Sequence, residues 1–122
     1  MIALHASQPI GIDLEKLKQR DFIQFGTRFW GEAFVQQHLH LQHPALLPLT
    51  FFQAWTQTEA WVKQKGQTIF QFEDFTPKPQ QMVLHQNQQV INFVPQIGYM
   101  ACICMPQSIQ NIHFQYQDMS LA

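Results

Sequence analysis

Charge is scarce in this sequence. Only 12% of its 122 residues are Asp, Glu, Lys or Arg, about half the share of roughly 25% found in ordinary globular proteins. Seven Lys and Arg against eight Asp and Glu leave a formal net charge of −1. A chain so poor in basic residues cannot lay a long phosphate-neutralising stripe, which argues against a nucleic-acid partner. No stretch of 18 uncharged apolar residues occurs, so no membrane-crossing helix is expected. The opening Met1-Ile2-Ala3-Leu4-His5 lacks the basic start and the length of a signal peptide, and a cytoplasmic protein is expected. Glycine is rare, with five residues, and Gly11 and Gly66 stand alone rather than in a phosphate-cradling loop. The two cysteines, Cys102 and Cys104, sit at i, i+2 and so share one face of a strand. Adjacent same-face positions suit neither an unstrained disulfide nor, without further Cys, a metal site, and buried inert thiols are expected.

Glutamine and aromatics are what the sequence has instead. Gln fills 21 positions without forming a tract, and 11 Phe and three Trp spread along the chain supply bulk for a core. A length of 122 residues fits one domain spanning 1–122. Ile2 to His5 and Ile10 to Glu15 read as two short strands around Ala6-Ser7-Gln8-Pro9. Phe22, Phe25 and Phe29 recur at helical spacing, interrupted by Gly26 and Gly31. Glu32 to Leu41 is a second candidate helix. The clearest helix begins near Pro48, carries Phe51, Phe52, Trp55, Glu59 and Val62, and meets a C-terminal glycine at Gly66. Five apolar bursts follow, at Ile69 to Phe72, Met82 to His85, Val90 to Val94, Tyr99 to Cys104 and Ile112 to Tyr116, separated by Pro, Gly and Asn. Helices before strands predict an α+β domain with helices packed on a mostly antiparallel sheet.

Along Ile10 to Glu15 the apolar residues alternate with Gly11, Asp13 and Glu15, so both carboxylates share a face. Glu59 and Lys63 lie one turn apart on the clearest helix. One close packing of that helix on that strand would gather three carboxylates and an ammonium. Oxygen ligands of this kind suit Mg²⁺, which takes carboxylates, water and phosphate oxygens. On spacing alone the commoner reading also stands, that Glu59 and Lys63 form a solvated i, i+4 pair worth a few tenths of a kcal/mol.

The segment Ser7-Gln8-Pro9-Ile10-Gly11-Ile12-Asp13-Leu14-Glu15-Lys16 resembles the (V/I)-G-(I/V)-D-(I/L)-E segment of Sfp-type 4′-phosphopantetheinyl transferases. Trp55-Thr56-Gln57-Thr58-Glu59-Ala60-Trp61-Val62-Lys63-Gln64-Lys65-Gly66 resembles their second motif, W-(T/S)-x-K-E-(A/S)-x-x-K-x-x-G. Arg28-Phe29-Trp30, Val83-Leu84-His85-Gln86 and Gly98-Tyr99-Met100-Ala101-Cys102 are similar to later parts. The likeness spans nearly the whole chain and the C-terminal half of such an enzyme, a family related to the holo-acyl-carrier-protein synthases. It implies Mg²⁺-dependent transfer of phosphopantetheine from coenzyme A to a serine of an acyl or peptidyl carrier protein. It implies Asp13, Glu15 and Glu59 as metal ligands, Glu59 as the residue orienting or deprotonating the serine, and Lys63 on the pyrophosphate; Lys16, which follows the acidic motif, reads with the next two basic residues as a coenzyme A contact or as part of a solvated turn. Lys18 and Arg20 read either as receivers of phosphate or of an acidic carrier surface, or as a solvated turn.

There are three departures from the family pattern. Thr58 replaces the motif Lys and removes a cation; Phe34 stands where an acid is expected, with Glu32 two residues early. The family's N-terminal half, with its basic residues and S-H histidine, has no counterpart, and His5 is too close to Asp13 to serve. A lone half is expected to expose an apolar face and an open strand edge. A homodimer is then the simplest assembly and a trimer the other, with a degenerate binding module, or one subunit of a split transferase, as alternative functions. His38, His40 and His43 read as a polar cluster of a loop, because on a helix only positions 40 and 43 could cooperate.

Overall fold

The computed structural model describes residues 8–71 and 75–109. They form an α+β unit in which helices cover one face of a four-stranded antiparallel sheet. Strand β1 (Gly11–Lys16) is followed by helices α1 (Phe22–Trp30), α2 (Glu32–Phe34, continued by a wider π-type turn over Val35–Leu39) and α3 (Leu47–Gln64). A short 3₁₀ turn (Ile69–Gln71) leads to β2 (Met82–His85), β3 (Gln88–Phe93) and β4 (Tyr99–Pro106), and the strand order is β1-β4-β3-β2. The expected strands at Ile2 to His5 and Ile112 to Tyr116 lie outside the described residues.

Local chemistry accounts for the boundaries. Asp21 caps α1, its Oδ1 accepting from the Gln24 N–H at 3.1 Å. Pro48 occupies the first turn of α3, where its missing N–H leaves nothing unpaired. The helix closes in a Schellman turn: Gly66 has φ +68°, its N–H donates to Lys63 O and the Gln67 N–H donates to Val62 O. Gln86 and Asn87, both with positive φ, form the two-residue turn between β2 and β3.

Two expectations are corrected. Ile69 to Phe72 does not begin as a strand: Ile69–Gln71 is a single helical turn, since the chain has just left α3 and has no sheet edge beside it. Gly26 does not interrupt α1; it lies inside the helix, where a Cβ would meet Leu39 Cδ1 at 2.7 Å, so the missing side chain admits the following helical segment. Gly31, at φ +90°, is the glycine that ends α1.

Helix α3 lies across β1, β4 and β3. Phe22, Phe34, Val35, Leu39, Phe51, Phe52, Ala54 and Met100 pack at one end, and Ala60, Trp61, Val62, Phe75, Val83, Val90, Cys102 and Cys104 at the other. A buried amide network joins helix to sheet. The Gln57 Nε2 group donates to Asn92 Oδ1 (2.8 Å) and to the carbonyls of Lys78 (2.9 Å) and Gln80 (3.1 Å), while Gln57 Oε1 accepts from the Lys78 N–H. Asn92 in turn donates to Thr56 Oγ1 and to the Ala101 carbonyl. Glutamine here ties the loop before β2 to the core.

The sheet's other face carries a cross-strand row of Ile12, Ile103, Ile91 and Met82. Ile103 is buried, while Leu14, Met82 and Leu84 are exposed. Among the described residues β1 and β2 are the edges of the sheet.

Candidate functional site

Gly11 sets the site. A Cβ built there would stand 2.1 Å from Ala60 O and 2.5 Å from Gln64 N, so only glycine lets β1 lie directly on the backbone of α3. From that contact strand and helix run in opposite directions, so moving up β1 means moving back along α3. The carboxylates of β1 therefore meet side chains of α3 in opposite chain order. Lys63 Nζ donates to Asp13 Oδ1 at 2.7 Å, and two strand residues further the Trp55 Nε1–H donates to Glu15 Oε1 at 3.3 Å.

Asp13 is buried, with its side chain 5% exposed against 49% for Lys63, and its second oxygen, Oδ2, has no hydrogen-bond partner. Burial, the Asp13 charge and a hydrogen bond that protonated Glu15 can donate to Asp13 raise the Glu15 pKa above its ordinary value; the Trp55 N–H works against this, and Glu59 adds to it. Burial and Asp13 likewise raise Glu59, with Lys63 opposing. For Lys63, burial disfavours the ammonium, but the Asp13 hydrogen bond and charge, with Glu59 and Glu15, outweigh it and hold its pKa above the usual lysine value. The four side chains thus act on one another as a single charged cluster. Among the described residues, no group of three or more His, Cys, Asp or Glu side chains is arranged to hold a metal ion. The cation seated on Asp13 is the Lys63 ammonium.

The other candidates separate cleanly. Lys16 is exposed at the end of β1, opposite Tyr99. Lys18 and Arg20, both exposed, line with Glu15, Phe25, Phe52 and Trp55 a cavity of about 270 Å³ beside the cluster. Thr58 is fully buried, and its Oγ1 accepts from the Trp30 Nε1–H and donates to the Ala54 carbonyl. It therefore turns into the α1–α3 contact. Phe34 packs against Trp30 in the core, and Glu32 is exposed. His38 rests on the Phe34 ring within the helical segment, and His43 Nδ1 accepts from the Ala45 N–H in the following loop. Cys102 and Cys104 are buried free thiols; burial pushes Cys102 well up and Cys104 up to about 12.

Trp55 packs against Phe29, Trp30 and Phe51, and its N–H also donates to Glu15, a contact that sequence reasoning did not name. The signal was present: positions 55, 59 and 63 recur at i+4 and so share one helical row. No helix among the described residues is long and apolar enough to cross a membrane. Neither a protein-family model nor a curated protein sequence matches the chain.

Proposed function

We propose that this domain is a unit of the 4′-phosphopantetheinyl transferase kind, acting in the cytoplasm with Mg²⁺, coenzyme A and an acyl or peptidyl carrier protein. The observation that supports the reading is the buried Asp13, with an unpartnered Oδ2, beside Glu15 and opposite Glu59 and Lys63 of the facing helix. An all-oxygen donor set with one orphaned oxygen is the chemistry a small hard cation asks for. Asp13, Glu15 and Glu59 would hold the ion, and when bound it would neutralise charge on the pyrophosphate oxygens.

The chain's own groups have defined tasks. Glu59 takes the proton of the carrier serine as that oxygen bonds to phosphorus. The phosphorus–oxygen bond to the adenosine side breaks, and adenosine 3′,5′-bisphosphate leaves with the electron pair. Lys63, half in water, reaches the pyrophosphate. A homodimer, with a trimer as the other arrangement, would cover the apolar outer row of the sheet.

The experiment is an intact-mass assay: with coenzyme A and Mg²⁺ the carrier gains the phosphopantetheine mass, and Asp13→Asn or Glu59→Gln abolishes the gain. A second reading is favoured by the Lys63 ammonium, which answers Asp13 without a metal. It is a non-catalytic module binding coenzyme A or carrier protein, or a partner subunit of a split transferase. That reading predicts binding with no mass gain; absence of both transfer and binding refutes the two together.

A further inference from the structure

We propose that Lys63 is the resident cation of the carboxylate cluster, so that the cluster holds one cation at a time and a divalent ion enters only by expelling the Lys63 ammonium. The inference rests on reading Asp13, Glu15 and Glu59 as a cation site, and concerns how this chain occupies that site when no ion is bound.

Three observations carry it. First, the two members of the ion pair differ in freedom. The Asp13 carboxylate is 5% exposed and fixed on β1, whereas Lys63 is 49% exposed on a flexible four-carbon stem. The lysine is the partner that can leave. Second, Lys63 satisfies one Asp13 oxygen and leaves Oδ2 buried without a donor, so the site is only partly filled by an ammonium. Third, the spacing is that of an ammonium. The 2.7 Å Nζ to Oδ1 contact is an ordinary charge-assisted hydrogen bond, while Mg²⁺ needs oxygens at about 2.0–2.1 Å. The absence of a ligand-like trio among the described residues then has a physical cause. Side chains arranged around an ammonium must draw in after it departs.

Terbium luminescence tests this on the intact chain. Tb³⁺ binds oxygen sites and is sensitised by a nearby indole, and Trp55 already touches Glu15; Mg²⁺ is then added as the competitor. The expected result is weak binding to the wild type, binding at least tenfold tighter to Lys63→Met, binding as weak as the wild type to Lys63→Arg, and none to Asp13→Asn. Equal or weaker binding by Lys63→Met, with Asp13→Asn still abolishing the signal, overturns the inference and leaves the cation site standing. No binding by any variant, or binding indifferent to Asp13→Asn, overturns the cation site and the inference with it. Should Lys63→Met fail to fold, nitrogen-detected NMR of the wild-type lysine ammonium groups decides the matter. The Lys63 signal should be protected from exchange without metal and lose that protection on Mg²⁺ saturation, and an unchanged signal overturns the inference.

Discussion

Replacing Gly11 with alanine tests the contact on which the site depends. The added Cβ would lie 2.1 Å from Ala60 O, 2.5 Å from Gln64 N and 2.9 Å from Gln64 Cβ, and the first two are backbone atoms that cannot rotate away. Restoring an ordinary contact of about 3.5 Å requires strand and helix to part by more than about 1 Å. Overpacking of this kind costs about 2–4 kcal/mol, at or above the upper part of the usual range because a main chain must move. The Lys63–Asp13 pair, only 2.7 Å long and two residues away, would open as well. Its own loss adds under about 1 kcal/mol, since Lys63 is half solvated. At about 4 °C per kcal/mol for a chain of this size, Tm should fall by roughly 8–16 °C. Circular dichroism melts of Gly11→Ala and, as a control, Gly31→Ala measure this; the control has nothing near its Cβ and reports only the effect of a positive φ. A Gly11→Ala melt within 2–3 °C of wild type, roughly the size of a surface substitution, would refute the close-approach argument.

Three further outcomes follow from the structure. Gln57→Leu strands the Lys78 N–H and Asn92 Oδ1 and should lower stability by about 2–4 kcal/mol in urea unfolding; a loss under about 1 kcal/mol would mean that water replaces the network. Cys102 and Cys104, buried with raised pKa values, should resist a thiol reagent at pH 8 in the native state and both react in denaturant, and fast native labelling would contradict their placement. Because Glu15 and Glu59 bind protons more tightly folded than unfolded, stability should fall as pH rises from the ordinary carboxylate range through their raised values. Glu59→Gln should therefore melt above wild type at pH 7 and alongside it at pH 4, whereas a variant less stable at pH 7 would reverse the sign. Lys63 acts at the other end: its stabilisation is present below the ordinary lysine pKa of 10.5 and lost as pH climbs through its raised value.

Much of this fold was legible because its signals are local. The alternation from Ile10 to Glu15 put Gly11, Asp13 and Glu15 on one face, and that face is the one on α3. Gly66 marked the end of α3, and Met82 to His85 is a strand with the expected bounds. The misreadings came from tertiary contacts that a linear pattern does not encode. Gly26 looks like a helix breaker until Leu39 is seen to need its space. Ile69 to Phe72 has strand composition but no neighbouring strand at Ile69–Gln71. At the site, sequence supplied the four charged residues but not the direction of Thr58, which depends on where Trp30 lies, nor the pairing of Lys63 with Asp13 rather than with its helical neighbour Glu59. Gln57 and Asn92, distant in sequence and individually ordinary, gave no warning of their shared network.

On the proposed function, the Asp13, Glu15, Glu59 and Lys63 cluster receives a divalent ion together with the pyrophosphate of coenzyme A. Calorimetric titration of coenzyme A into the full chain, with and without Mg²⁺, tests it most directly. Binding that requires Mg²⁺ and disappears in Asp13→Asn is the predicted result; binding that ignores the metal, or no binding in its presence, would contradict it.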